Sequence, residues 1–350
     1  MNRKTDTILV RPDEALDEEK LIEYLKDKLD GSDSLLILRQ FPGGKANLTY
    51  HLDFGSHEYV LRRPPLGPIP PGAHDMGREY SVLSVLYNEY QMAPKAYLFE
   101  QNKDIIGAPF FIMERKKGIV VRTEMPGDYK KNSNAGIEMS IALIKSLAEL
   151  HRVNVKKIGL KNLGKPDGFI ERQVHGWYKR WVMSKHKDID DVETIYHWLA
   201  SNIPKENFYS LIHNDYKLDN AMFSFNDPTK MIAVFDWDMC TLGDPLCDLG
   251  SLLSYWKDPD DPSFFRDLSM MPKDGIFLKR DELIKIYAQY SGFDVKNIVF
   301  YHVLGLFKLI GIIAQIYVRY IRGQTKDKRF ANFGDAIPFI ARFAINVSKK

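Results

Sequence analysis

The sequence predicts an α+β protein in two parts, a sheet-rich first part followed by a longer helical one. Five short runs of strand character crowd the first 115 residues, and the apolar patterns after them recur mostly at helical spacing. The 350 residues suffice for two domains or one large lobed one, with a core that needs no disulfide support.

Residues 16–29 read as an amphipathic helix, with Leu16, Leu21, Ile22, Leu25 and Leu29 on one face and Asp17 as its N-cap. LLILRQF (35–41), NLTYHLDF (47–54) and EYVLRR (58–63) read as strands. The turns PGGK and GSH between them are short, which predicts an antiparallel meander, because parallel neighbours need a long crossover. PPLGPIPPG (64–72) is a loop, since proline cannot donate to a ladder. A helix over 76–90 follows, then strands at 95–101 and 109–115. Helices are predicted at 135–152, 171–187, 190–200, 280–291 and 297–322, with a hairpin of 223–225 and 231–237 among them. The boundary is expected near 115–120, giving a first domain of 1–115 and a second of 116–350.

Lysine and arginine number 49 against 46 acidic residues, a net charge of +3. That balance offers no footprint for nucleic acid. Cys240 and Cys247 are the two cysteines, too few for a disulfide framework or a four-thiolate site, and they read as reduced buried thiols of a cytoplasmic protein. The first twenty residues carry no secretory apolar run. VLGLFKLIGIIAQIYV (303–318) is interrupted by Lys308 and Gln315. It falls short of the roughly 20 apolar residues of a membrane span, so a buried helix is expected there.

The chemistry concentrates in HNDYKLDN (213–220). His213, Asp215 and Asn220 stand in the register of the phosphoryl-transfer catalytic loop H-R-D-x-x-x-x-N. Asp236 follows the apolar run MIAVF, where such enzymes carry a second metal-binding carboxylate. Magnesium, a hard cation, takes oxygen ligands, which the Asn220 amide and the Asp236 carboxylate supply. Asp215 is placed to hydrogen-bond an acceptor hydroxyl and take its proton. Lys217, two residues beyond, is a cation that can meet the γ-phosphate as charge develops; His213 reads as structural. Asp and Asn in loops also cap helices and close Asx-turns, which suits Asp219, Asp238 and Asp244 equally well. HExxH, GxSxG, GxGxxG and GxxxxGK[ST] are absent, which argues against zinc-hydrolase, hydrolase-elbow, dinucleotide-fold and P-loop readings.

These residues resemble the aminoglycoside phosphotransferase (APH) family, small-molecule kinases with a protein-kinase-like fold. Within it the chain is most similar to the branch fused to acyl-CoA dehydrogenases in some eukaryotes. Residues 15–325 carry the resemblance, through PGGKANLTY (42–50), YVLRRPP (59–65), ERQVHGWYKRW (171–181), HNDYKLDN and VFDWDMCTLGDPLCDLG (234–250). It implies a two-lobed kinase-like fold and an Mg2+-dependent transfer from ATP, or GTP, to a hydroxyl of a small molecule. It places the turn of Gly43, Gly44, Lys45 and Asn47 over the nucleotide phosphates. Arg62 stands where the family usually has a phosphate-gripping lysine, with Glu79 as its partner. Phe111–Arg115 becomes the link between lobes, with Ile112, Met113 and Glu114 at the purine. Asp244 and Asp248 hold the loop and a helix start. Trp237-Asp238 departs from the Phe-Gly of protein kinases and argues against a regulated activation segment.

For the acceptor, Arg172, Lys179, Arg180, Lys185, Lys187, Arg319 and Arg322 suggest an anionic or acyl-bearing metabolite if they face the cleft. Solvated helix faces explain them equally well. Trp177, Tyr178 and Trp181 either pack the helical lobe or line an apolar slot. The alternatives are a choline-, homoserine-, sugar- or aminoglycoside-type kinase, or a nucleotide-binding protein without catalysis, for which Arg62 is the departure to weigh.

Overall fold

Asp17 caps the first helix in the computed structural model, which describes residues 6–42, 47–67, 75–206, 208–269 and 271–350. Its side chain accepts the Lys20 backbone N–H at 3.2 Å and starts α1 (Glu18–Leu25). The helix stops short of Leu29 because the chain becomes extended at Lys26 and left-handed at Asp27, φ 62°, a conformation that no right-handed helix passes.

Five strands follow, β1 (Ile37–Gln40), β2 (Leu48–Asp53), β3 (Glu58–Arg63), β4 (Ala96–Glu100) and β5 (Phe110–Glu114), with α2 (Met76–Leu86) between β3 and β4. They form one antiparallel sheet in the order β1-β2-β3-β5-β4. Side chains alternate across a strand, and the register sorts them cleanly. Leu61 of β3 and Phe110 and Ile112 of β5 join Leu21 and Leu25 of α1 in a buried apolar cluster. Val60 and Arg62, opposite Met113 and Phe111, take the other face.

The second part contains β6 (Ile119–Val120), α3 (Ala135–His151), α4 (Phe169–Ser184), α5 (Asp190–Ser201), β7 (Ser210–Ile212), β8 (Ala221–Phe223), β9 (Met231–Val234), β10 (Thr241–Gly243), α6 (Leu246–Tyr255), α7 (Ser263–Leu268), α8 (Arg280–Ser291), α9 (Ile298–Ile321) and α10 (Phe333–Ser348). Strands β6, β8 and β9 form a small sheet, and β7 pairs with β10. By length and composition α9 is apolar enough to cross a membrane, but 67% of its apolar window is buried inside the protein. It is the central core helix of this part, packed against α4, α6 and α10.

Helix α10 lies outside the sequence expectations. Pro338 sits in its interior, where proline removes a backbone hydrogen bond at a cost of about 3 kcal/mol. Ile337, Ile340, Ala341, Ala344 and Val347 are all buried on one stripe, and each isoleucine so buried returns roughly 1.5–3 kcal/mol. The packing outweighs the local penalty.

The backbone divides into two units. The first runs to Lys117 and also takes Phe235–Asp238; the second runs from Gly118 without those four residues. The sequence reading assigns all residues after 115 to the later domain. Within the first unit Asp236 ion-pairs with Arg62, and Trp237 lies edge-on to Tyr90 at 5.9 Å.

Candidate active site

In the second unit, β7 delivers the chain into the loop 213–220. Asp248, in the first turn of α6, clamps that loop from behind. Its Oδ2 accepts the His213 N–H at 2.6 Å, and its Oδ1 accepts the Asn214 N–H at 2.7 Å. His151 Nε2 lies 3.3 Å from the same carboxylate. Burial alone would raise the Asp248 carboxyl, but His151 and His213 outweigh it and hold the group below the ordinary carboxylate range. Asp244 caps the same helix, accepting the Leu246 N–H at 2.9 Å and the Tyr301 hydroxyl at 2.7 Å. Asn214 is left-handed, φ 65°, a conformation asparagine tolerates better than most residues. His213 Nδ1 accepts the Asp215 N–H at 3.2 Å, which is a structural use of the ring.

The clamp presents Asp215. Its Oδ2 receives Lys217 Nζ at 2.7 Å and Asn220 Nδ2 at 3.0 Å. Among the described residues no hydrogen bond reaches Oδ1, so one carboxylate oxygen is held and the other is open. Asn220 Nδ2 also donates to the Asp215 carbonyl at 2.9 Å. Both donors of the amide group therefore face Asp215, and its Oδ1 is left for another partner. Burial pulls the Lys217 ammonium down, but Asp215, Tyr255 and Asp219 raise it overall. Its Nζ lies 5.1 Å from the centre of the Tyr255 ring.

In the first unit, Arg62 bridges two acids. Its Nη1 is 3.0 Å from Glu79 Oε1, and its Nη2 donates to Asp236 Oδ1. Arg62 and Glu79 are both buried. Burial pushes the Glu79 carboxyl up to about 7 against the pull of Arg62, with Asp236 and Asp238 adding to the rise. Asp236 is left-handed, φ 71°, a conformation that non-glycine residues keep mainly where the surroundings impose it.

Of the remaining site candidates, Gly43, Gly44 and Lys45 lie outside the described residues. Asn47 is buried at the edge of β2. Ile112 faces the α1 side of the sheet, where the apolar cluster takes up its side chain. Met113 faces the Arg62 side. Glu114 ends β5, and its carboxylate accepts the Lys95 N–H at 3.2 Å and pairs with Lys116 at 2.9 Å.

Three of the basic side chains considered for the acceptor are spent locally. Arg172 donates to the Asp167 and Lys165 carbonyls, Lys185 pairs with Asp188 at 2.5 Å, and Arg319 donates to Gln315. Arg180 differs, lying over the Trp177 ring at 4.6 Å. Trp177 and Trp181 are buried, and Tyr178 stacks on Tyr196 at 3.7 Å.

Two neighbours of Asp215 escaped the sequence reading. Tyr255 ends an apolar helix, and nothing local marks it. Lys308, on α9, donates to the Asn214 carbonyl; its signal was a lysine standing alone in an apolar run.

Magnesium suits this donor set. Among the described residues no three His, Cys, Asp or Glu cluster into a metal cage. An ion that binds through one or two protein oxygens plus phosphates needs no such cage, and Asn220 has an uncommitted amide oxygen.

Residues 37–275 match the model of a phosphotransferase enzyme family, APH. The chain is 33% identical to acyl-CoA dehydrogenase family member 11 of Rattus norvegicus, over 100% of this chain and 45% of that protein. It is 30% identical to family member 10 of Mus musculus, over 97% of this chain and 32% of that protein. The chain thus spans less than half the length of these curated relatives. A candidate aminoglycoside phosphotransferase of Ralstonia eutropha superposes with a TM-score of 0.80 at 27% identity, covering 96% of this chain and 99% of that one. The ethanolamine kinase of Plasmodium vivax shares the fold, with a TM-score of 0.59 at 16% identity over 94% of this chain and 89% of that one.

Proposed function

The chain belongs to the phosphotransferase enzyme family APH and is an ATP-dependent phosphotransferase with the family's kinase-like fold, and from that premise we propose that it phosphorylates a hydroxyl of a small anionic or acyl-bearing metabolite. The observation that carries the reading is the division of labour on Asp215. Lys217 and Asn220 hold Oδ2, and the open Oδ1 receives the acceptor hydroxyl proton. The carboxylate is fixed through Oδ2 before the acceptor arrives, and such pre-organisation costs no reorganisation at the moment of transfer.

In this reading Asn220 Oδ1 and the Asp236 carboxylate are the oxygen donors for magnesium, which when bound neutralises charge on the transferring phosphoryl group. Arg62 keeps a permanent charge at the position of the family lysine and presents a rigid fork, with Glu79 fixing its orientation. Gly43, Gly44, Lys45 and Asn47 are assigned to the phosphates, and Met113 and Glu114 to the purine. The first unit is read as the nucleotide-binding domain and the second as the domain of the catalytic loop and acceptor.

The acyl-bearing acceptor is supported by likeness to proteins named for acyl-CoA dehydrogenation. Nucleotide consumption against a panel of hydroxy acids, hydroxyacyl thioesters, amino alcohols and aminoglycosides tests it, with Asp215→Ala as the control. Turnover confined to the cationic acceptors sinks the anionic reading, and turnover unchanged in Asp215→Ala sinks the mechanism.

A further inference from the structure

Trp177 is shared by two cations. Arg180 lies over its ring at 4.6 Å and Lys308 Nζ at 5.8 Å from its centre. The indole N–H is already bound to Gln173 Oε1 at 3.1 Å. Helix α9 meets the indole at a bare backbone position: a Cβ on Gly311 would lie 2.9 Å from Trp177 Cε3. Lys308 stands one turn before that contact.

Among the described residues no carboxylate lies within ion-pair distance of Lys308 or Arg180, whereas Lys185 and Lys217 pair with Asp188 and Asp215. A mostly buried ammonium without a counter-ion is costly, and two like charges on one ring add repulsion. Burial pulls the Lys308 ammonium down, while Asp215 and Asp248 hold it up. Lys308 has used one donor, on the Asn214 carbonyl next to Asp215. An ammonium carries three donors, so two remain beside the acceptor base.

We propose that Lys308, with Arg180 at its rim and Trp177 as the floor, forms an anion subsite that receives a carboxylate or phosphate of the acceptor and so orients its hydroxyl toward Asp215. The subsite rests on the phosphotransferase reading for its purpose but not for its existence, and binding tests the two separately. An anion here completes the missing ion pair and is recognised by charge-assisted hydrogen bonds, while the buried Trp177 ring holds the two cations beside one another.

The test is equilibrium binding by calorimetry of three probes to the whole chain: 3-hydroxybutyrate, its coenzyme A thioester and the uncharged 1,3-butanediol. The subsite predicts that at least one anionic probe binds and that the diol does not. Lys308→Met weakens that probe about 10-fold or more, Arg180→Met about 3-fold, and Lys308→Arg recovers part of the loss. Free-acid binding that depends on Lys308 identifies a carboxylate near the alcohol; thioester-only binding with the same dependence identifies a phosphate. The subsite is overturned if the diol binds as tightly as the anions, if no anion binds, or if both methionine variants bind anions like the parent. Thermal melting of Lys308→Met and Arg180→Met checks that any loss is not unfolding. Phosphoryl transfer is scored independently: Lys308-dependent binding with no ATP-driven phosphorylation of any bound probe leaves the subsite standing and removes the transfer reading.

Discussion

Asp248 Oδ2 accepts the His213 backbone N–H at 2.6 Å across 35 residues of sequence. With the Asn214 N–H on its other oxygen, this one carboxylate fixes the loop that displays Asp215. Its removal leaves the buried His213 N–H, the part-buried Asn214 N–H and His151 Nε2 without their acceptor. Asp248→Ala is expected to cost roughly 3–5 kcal/mol, read from denaturant midpoints. Asp248 is held below its ordinary pKa, so its contribution is whole above about pH 4, the unfolded carboxylate value, and is lost as pH falls through the folded one. The parent should lose stability in acid more steeply than Asp248→Asn. Parallel acid limbs for the two proteins would contradict the clamp.

Lys217 and Asn220 share Asp215 Oδ2. Lys217→Met leaves the carboxylate with one neutral donor, free to turn both oxygens toward its surroundings. A fall in kcat of about 100-fold is expected, the size seen when one pre-organised donor is lost, with recovery in Lys217→Arg. Steady-state kinetics with an acceptor that the panel turns over decide it, and a Lys217→Met enzyme with half the parental kcat would show that orientation of Oδ2 is not limiting.

Arg62 compensates Glu79 in a site where burial already lifts that carboxyl to about 7. Without the guanidinium it rises further. A carboxyl raised in the folded state favours the folded protein while protonated, and that advantage is lost as pH rises through the folded value. Arg62→Met should therefore melt lower than the parent by a margin that is larger at pH 8 than at pH 6. Arg62→Lys keeps charge but loses the fork that spans Glu79 and Asp236, and its KM for ATP is expected to rise about 3- to 10-fold. Equal deficits at the two pH values would mean that Glu79 is not titrating.

Local pattern explains what was legible. The strand Glu58–Arg63 has the bounds expected for it, because short turns and apolar runs act over a few residues. Asp215, Lys217 and Asn220 were readable together since eight consecutive residues hold them. Long-range placement was not readable. Lys308 was visible as a charge in an apolar run, but its partner carbonyl at Asn214 is 94 residues away. Helix α10 was hidden by Pro338, and α1 was overrun because the left-handed turn at Asp27 has no strong local mark. Its place in the motif points Ile112 at the purine, whereas strand alternation turns it into the α1 core.

Helices α6 and α9 cross where both are bare. A Cβ on Gly250 would lie 2.2 Å from the Tyr301 carbonyl oxygen, and one on Gly305 would lie 2.4 Å from the Gly250 carbonyl oxygen. Both obstacles are backbone, so no side chain can swing away and the helices must separate. Gly250→Ala is expected to cost roughly 3 kcal/mol, the upper end for overpacking. Gly127→Ala, which meets nothing within 4 Å, should stay within about 0.5 kcal/mol. Asp248 lies on α6 two residues before the crossing, so helix displacement also drags the loop clamp. Gly250→Ala should lose kcat at temperatures where circular dichroism shows it folded, and Gly305→Ala should do the same from the α9 side. Parental kcat in folded Gly250→Ala would show that the crossing fixes stability alone and leaves the Asp248 clamp in place.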